Sequence, residues 1–86
     1  MRARLGATSI QIGKATAHIL EASKHKGLDN SVFYIVSVYV TYDKYVSPRF
    51  TLVVKDEKDL IFKLRAEVAK MRILIMQGHT KLFSSP

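Results

Sequence analysis

Wound as a helix, residues 60–77 present two apolar stripes, and a small monomer has use for only one. At ~100° per residue, Leu60, Ile61, Leu64, Val68, Met71 and Ile75 fall on one stripe. Phe62, Ala66, Ala69, Ile73 and Met76 fall on a second. Arg65 and Arg72 stand in a seam between them, and Lys63, Lys70 and Gln77 mark the solvated flank. One stripe about 100° wide is what a single buried helix face needs. A chain of 86 residues has little fold left to cover the other. The second stripe therefore reads as a protein interface, filled by a second copy in a homodimer or by docking to a larger subunit.

Size sharpens the point. This length allows one domain and burial of roughly 60–65% of the unfolded surface, so a subunit interface would add burial that the monomer lacks. The chain holds no cysteine, which removes disulfides and thiolate metal sites. Met1-Arg2-Ala3-Arg4 leads into Leu5-Gly6-Ala7-Thr8 without an apolar signal region. The longest apolar run, residues 32–40, is broken by Ser37 and is far short of a membrane span. A soluble, cytoplasmic protein with no membrane partner is expected.

Fourteen Lys and Arg face seven Asp and Glu, a formal charge of +7, and the isoelectric point is about 9.9. Such an excess favours phosphate-rich partners through counterion release. The cations are spread along the chain, which suits a folded basic surface better than a disordered tail.

Residues 8–12 read as a short strand. From Lys14 the pattern turns helical. Ile12, Ala15, Ile19 and Ala22 follow three-four spacing, alanines at 15, 17 and 22 favour helix, and Lys24, His25 and Lys26 precede a stop at Gly27. A competing reading runs a strand over residues 9–21 with a bulge at Gly13. Residues 31–43 form the clearest strand, with Val32, Tyr34, Val36, Val38, Val40 and Tyr42 on one face and Phe33, Ile35, Ser37, Tyr39 and Thr41 on the other. A loop containing Ser47-Pro48 leads to an antiparallel strand over residues 49–55. Asp56, Glu57 and Asp59 open the last helix and Gly78 closes it. The expected class is α+β: a two-layer sandwich ordered strand-helix-strand-strand-helix, with an antiparallel sheet and a long C-terminal helix. The domain spans residues 1–78, and 79–86 form a flexible tail in which Leu82 and Phe83 are the residues able to dock.

No catalytic constellation, metal site or cofactor motif stands out. His18, Glu21 and His25 lack a metalloprotease spacing and read as a solvated face. Asp56, Glu57 and Asp59 read as helix-start charges, and the four glycines form no phosphate-cradling loop. No enzyme and no small-molecule substrate are expected. A binding surface is better supported. Lys24 and Lys26 at the first helix's end, with Lys44 and Arg49 flanking the hairpin loop, are the candidate phosphate contacts, and Arg2 and Arg4 add an N-terminal arm. Tyr39, Tyr42 and Tyr45 are candidates for stacking on bases, with core or rim packing the alternative for Tyr42 and for Tyr39.

Residues 15–22 (Ala-Thr-Ala-His-Ile-Leu-Glu-Ala) and Phe50-Thr51-Leu52-Val53-Val54, followed by Asp56 and residues 60–68, resemble the small dimerising subunit of the KEOPS complex. That archaeal and eukaryotic assembly makes threonylcarbamoyladenosine in transfer RNA. The likeness covers residues 8–76 and includes Leu64-Arg65-Ala66; the Asn-Ser that often follows in the family is Glu67-Val68 here. The resemblance implies a non-catalytic dimer whose long helix docks the catalytic subunit and which helps hold transfer RNA. By position, Leu64, Val68, Met71 and Ile75, or the opposite stripe, would be the docking surface.

The leading expectation is thus a non-enzymatic dimerisation and docking module of an RNA-handling assembly. The alternatives are a stand-alone DNA-binding protein, chromatin-like or specific for single strands, and a structural or viral protein with no nucleic-acid role. A strand-strand-strand-helix fold with a longer basic sheet would suit the DNA-binding version.

Overall fold

The computed structural model describes residues 9–84. Among them, five strands form one antiparallel sheet: β1 (Ser9–Ile12), β2 (Ala15–Lys26), β3 (Val32–Tyr42), β4 (Tyr45–Val46) and β5 (Phe50–Val54). One long helix, α1 (Glu57–Met76), and a 3-10 turn at Thr80–Leu82 follow. The α+β class, the antiparallel sheet and the long C-terminal helix are as the sequence implies. The N-terminal arm with Arg2 and Arg4 lies outside the described residues.

The first helix is the correction. Residues 14–26 are not helical: Ala15–Lys26 is a twelve-residue strand that pairs with β1 on one side and β3 on the other. The competing strand reading also moves, because Gly13 is not a bulge. With Lys14 it makes a two-residue hairpin turn, at φ +61°, a conformation glycine adopts without steric cost in a first turn position. The bulge falls at Leu20, where the register shifts between Ile19↔Val38 and Glu21↔Ser37.

This bulge explains the helical disguise. Before it, Ala15, Ala17 and Ile19 pair with the core-facing Tyr42, Val40 and Val38; after it, Ala22 pairs with core-facing Val36. The turn and the bulge each insert a step of three between inward residues. Ile12, Ala15, Ile19 and Ala22 therefore imitate helical spacing while lining one face of a sheet. The alanines serve packing here, not helix propensity. Ala15 and Ala17 are fully buried in the core with Val36, Val38, Val40, Val54, Leu60, Leu64, Val68 and Met71, where small side chains let helix and sheet approach closely.

Asp56 caps α1 by accepting from the Asp59 N–H at 2.8 Å. Lys63 and Asp59 form an i,i+4 ion pair at 3.4 Å in its first turns. The segment from His79, expected as a flexible tail beyond a domain ending at residue 78, folds back instead. Phe83 packs against the core, and Ser84 exchanges two backbone hydrogen bonds with Val46, at 2.8 and 2.9 Å. The chain past Gly78 is thus part of the domain up to Ser84.

Candidate functional site

The sheet has two unlike faces. The inner one carries the alternate residues Val36, Val38 and Val40 under α1. The outer one carries Phe33, Ile35, Ser37, Tyr39 and Thr41 of β3. Their cross-strand partners are His25, Ser23, Glu21, His18 and Thr16 of β2, and Thr51 and Val53 of β5. Phe33, Ile35 and Tyr39 are half-buried and Val53 is exposed; none of the four belongs to the core or its packed margin among the described residues.

Two ring pairs stand on this outer face. His18 stacks on Tyr39 with centroids 4.6 Å apart and planes inclined by 15°. His25 stacks on Phe33 at 5.4 Å and 17°. Both histidines are held by hydroxyls. His18 Nε2 lies 3.0 Å from Thr41 Oγ1, which is also 3.4 Å from the Thr16 carbonyl oxygen. His25 Nε2 lies 2.8 Å from Ser23 Oγ. Composition and alternation point to Tyr39 from sequence alone, but the two histidine stacks depend on the register of β2. Reading residues 14–26 as a helix hides them.

Of the other two tyrosines considered for stacking, Tyr42 and Tyr45 both pack against the core, and Lys44 Nζ sits 5.7 Å above the Tyr45 ring. The four candidate phosphate contacts are exposed, but the fold does not gather them. Lys24 and Lys26 lie near the far end of the β2–β3 hairpin, paired with Tyr34 and Val32, and not at a helix end. Lys44 lies in the turn after Tyr42, at the opposite end of β3. Eleven residues of strand at ~3.4 Å each separate these ends by about 35 Å. Arg49 lies in the break before β5, on a cleft shared with Phe50, Lys70, Met71 and Phe83. His18, Glu21 and His25, which a helix would have aligned on one face, form no metal-binding group among the described residues.

The helix separates its two stripes cleanly. Leu60, Leu64, Val68 and Met71 are buried, and Ile61 and Ile75 are half-buried. The second stripe faces solvent along its whole length: Phe62 is 72% exposed, Ile73 53% and Met76 76%, with Ala66 and Ala69 exposed between them. The hairpin tip adds an exposed Leu28, beside Asn30 at φ +68°. No helix among the described residues is long and apolar enough to cross a membrane.

Compared with protein-family models, curated proteins and solved structures, the chain matches none of them.

Proposed function

We propose that this chain is a non-enzymatic dimerisation and docking module of an RNA-handling assembly, with a basic surface that contacts nucleic-acid phosphates. The observation that carries this reading is the outer stripe of α1, an apolar row of Phe62, Ala66, Ala69, Ile73 and Met76 left in water by the monomer. A continuous row of this kind is a cost in an isolated small domain and an asset in an assembly. A second copy is its occupant. The stripe has large residues at its ends and alanines in its middle. Two antiparallel helices crossing near Ala69 then set each Phe62 toward the partner's Met76 around a two-fold axis. The charge of +7 supports the phosphate contact.

Sedimentation velocity at micromolar concentration tests it. The native chain is expected to run as a dimer, and Ala69→Glu with Ile73→Glu as a folded monomer. A native monomer overturns the self-association. The finer identification with a KEOPS-like transfer-RNA modification complex rests on the sequence likeness of residues 50–54, 56 and 60–68. It loses that of residues 15–22, which are strand where the family has its first helix. A stable protein partner retained from native extract after nuclease treatment supports the docking role.

A second reading is favoured by that same strand. With β2 and β3 twelve and eleven residues long, the fold is a strand-rich sheet with one helix, the form expected of a stand-alone DNA-binding protein, chromatin-like or specific for single strands. Retention of nucleic acid with no protein partner would select it.

A further inference from the structure

We infer that the outer face of the sheet is a stacking platform for single-stranded nucleic acid, seated on the His18–Tyr39 and His25–Phe33 ring pairs. It rests on the reading that this chain contacts nucleic acid, and it names the site. His25 is exposed, and His18, Tyr39 and Phe33 are half-buried on this face. Stacking on aromatic faces is tolerant of sequence because every base has a π-face. The platform is built rather than incidental: Thr41 orients the His18 ring and Ser23 the His25 ring, at 3.0 and 2.8 Å. Between the pairs lie Ile35, Ser37, Thr51 and Val53, an apolar and hydroxyl floor suited to sugars and base planes. Glu21 is the one carboxylate among the paired positions of this face.

Spacing favours a strand over a duplex. Tyr39 and Phe33 are six residues apart on β3, about 20 Å, so the two stacks address separate nucleotides of one extended chain. Bases within a duplex are stacked on one another and offer no free face to such rings. Lys24 and Lys26 flank His25 in sequence at one end of the platform. They are exposed, but they pair with Tyr34 and Val32, so alternation sets them on the face opposite His25.

The test measures fluorescence anisotropy of labelled fifteen-nucleotide dT and U strands, and of a duplex of equal length, with the full chain. Tyr39→Ala and Phe33→Ala are each expected to weaken strand binding about 5- to 100-fold, with Tyr39→Phe restoring it. Thr51→Glu with Val53→Glu leaves the rings in place and puts carboxylates on the same exposed face; it should weaken binding even where an alanine variant is poorly folded. Tighter binding to strand than to duplex is expected for the native chain. Unchanged affinity in both the alanine and the glutamate variants overturns the platform while leaving nucleic-acid binding elsewhere on the chain. Absence of binding by the native chain at low salt overturns the platform and the nucleic-acid reading together, and leaves dimerisation to be judged by sedimentation.

Discussion

Lys63 Nζ donates to the backbone carbonyl of Val53 at 2.6 Å, and through this bond the helix closes the outer edge of β5. An edge strand turns every second N–H and C=O away from its neighbour and so invites pairing with another chain. Here Val53 offers its carbonyl to Lys63, and the Lys55 N–H donates to Asp59 Oδ2 at 3.0 Å. The first turns of α1 thus occupy groups that would otherwise template sheet growth. The β5 edge is thereby blunted as a site for pairing with another chain.

Acid should loosen this corner. Asp59 titrates below the usual carboxylate value, chiefly because the Lys55 N–H donates to it; partial desolvation opposes this, and the Lys63 hydrogen bond and charge add to the lowering. A carboxyl lowered in the fold contributes stability in full above its unfolded pKa, about 3.9, and loses it as pH falls through the folded value. Asp29, lowered by the Ser31 hydroxyl and amide, acts in the same window. The melting temperature should therefore fall below about pH 4, and Asp59→Asn should flatten part of that fall. An Asp59→Asn curve parallel to the native one below this pH would contradict the assignment.

Dimerisation and nucleic-acid binding should respond to salt in opposite directions. Arg65 and Arg72 run along one margin of the outer stripe, so two copies bring like charges together there, while Lys63 and Lys70 on the other margin are ion-paired with Asp59 and Glu67. Screening relieves that repulsion, whereas phosphate contacts weaken as counterions compete. Sedimentation at about 50 and about 500 mM salt should show a tighter dimer at the higher value, and anisotropy a weaker complex. Dimer affinity that falls with salt would place the interface on another surface.

The four exposed cations that the sequence singles out can be tested as a group. Replacing Lys24, Lys26, Lys44 and Arg49 with Gln should leave the fold intact, since none is buried. It should reduce the salt slope of binding by up to roughly 0.7–0.9 for each phosphate that is no longer neutralised. Because Lys24 and Lys26 lie at one end of β3 and Lys44 at the other, about 35 Å away, a short strand meets only some of the four. The reduction in slope should grow with oligonucleotide length. An equal slope for native and variant chains at every length would remove these residues from the binding surface.

The sequence yields its C-terminal half readily. Between residues 31 and 77, alternation in β3 and β5 is unbroken, Asp56 marks the helix start, and both stripes of α1 lie where periodicity places them. The N-terminal half deceives for a local reason. A two-residue turn at Gly13 and an extra residue at Leu20 break the period of two at intervals that mimic a helix, and small core residues at 15 and 17 add apparent helix propensity. The candidate site suffers in turn. Tyr39 can be read from β3 alone, but its His18 partner is defined only by cross-strand register, a long-range property that no local pattern in residues 14–26 contains. The docked tail escapes for a similar reason, since Phe83 and Ser84 find their places through tertiary contacts.

Ala17 distinguishes the two readings of this segment by stability. Were residues 14–26 helical, with Ile12, Ala15, Ile19 and Ala22 inward, position 17 would lie on the opposite, solvated side, and Ala17→Leu would be nearly neutral. In the strand it is fully buried and paired with Ile10 and Val40, with α1 completing the core around it. Three extra heavy atoms there must displace packed neighbours, at about 1–3 kcal/mol. For a domain of this size that lowers the melting temperature by roughly 4–20 °C. Ala69→Leu, the same substitution on the outer stripe of α1, is the control. It meets solvent in the monomer, keeps helix propensity and should leave monomer unfolding within about 0.5 kcal/mol of native. Thermal melts of the two variants in an Ile73→Glu background, where association is suppressed, read the difference directly. Equal melting temperatures would show that the core does not close over Ala17 as described.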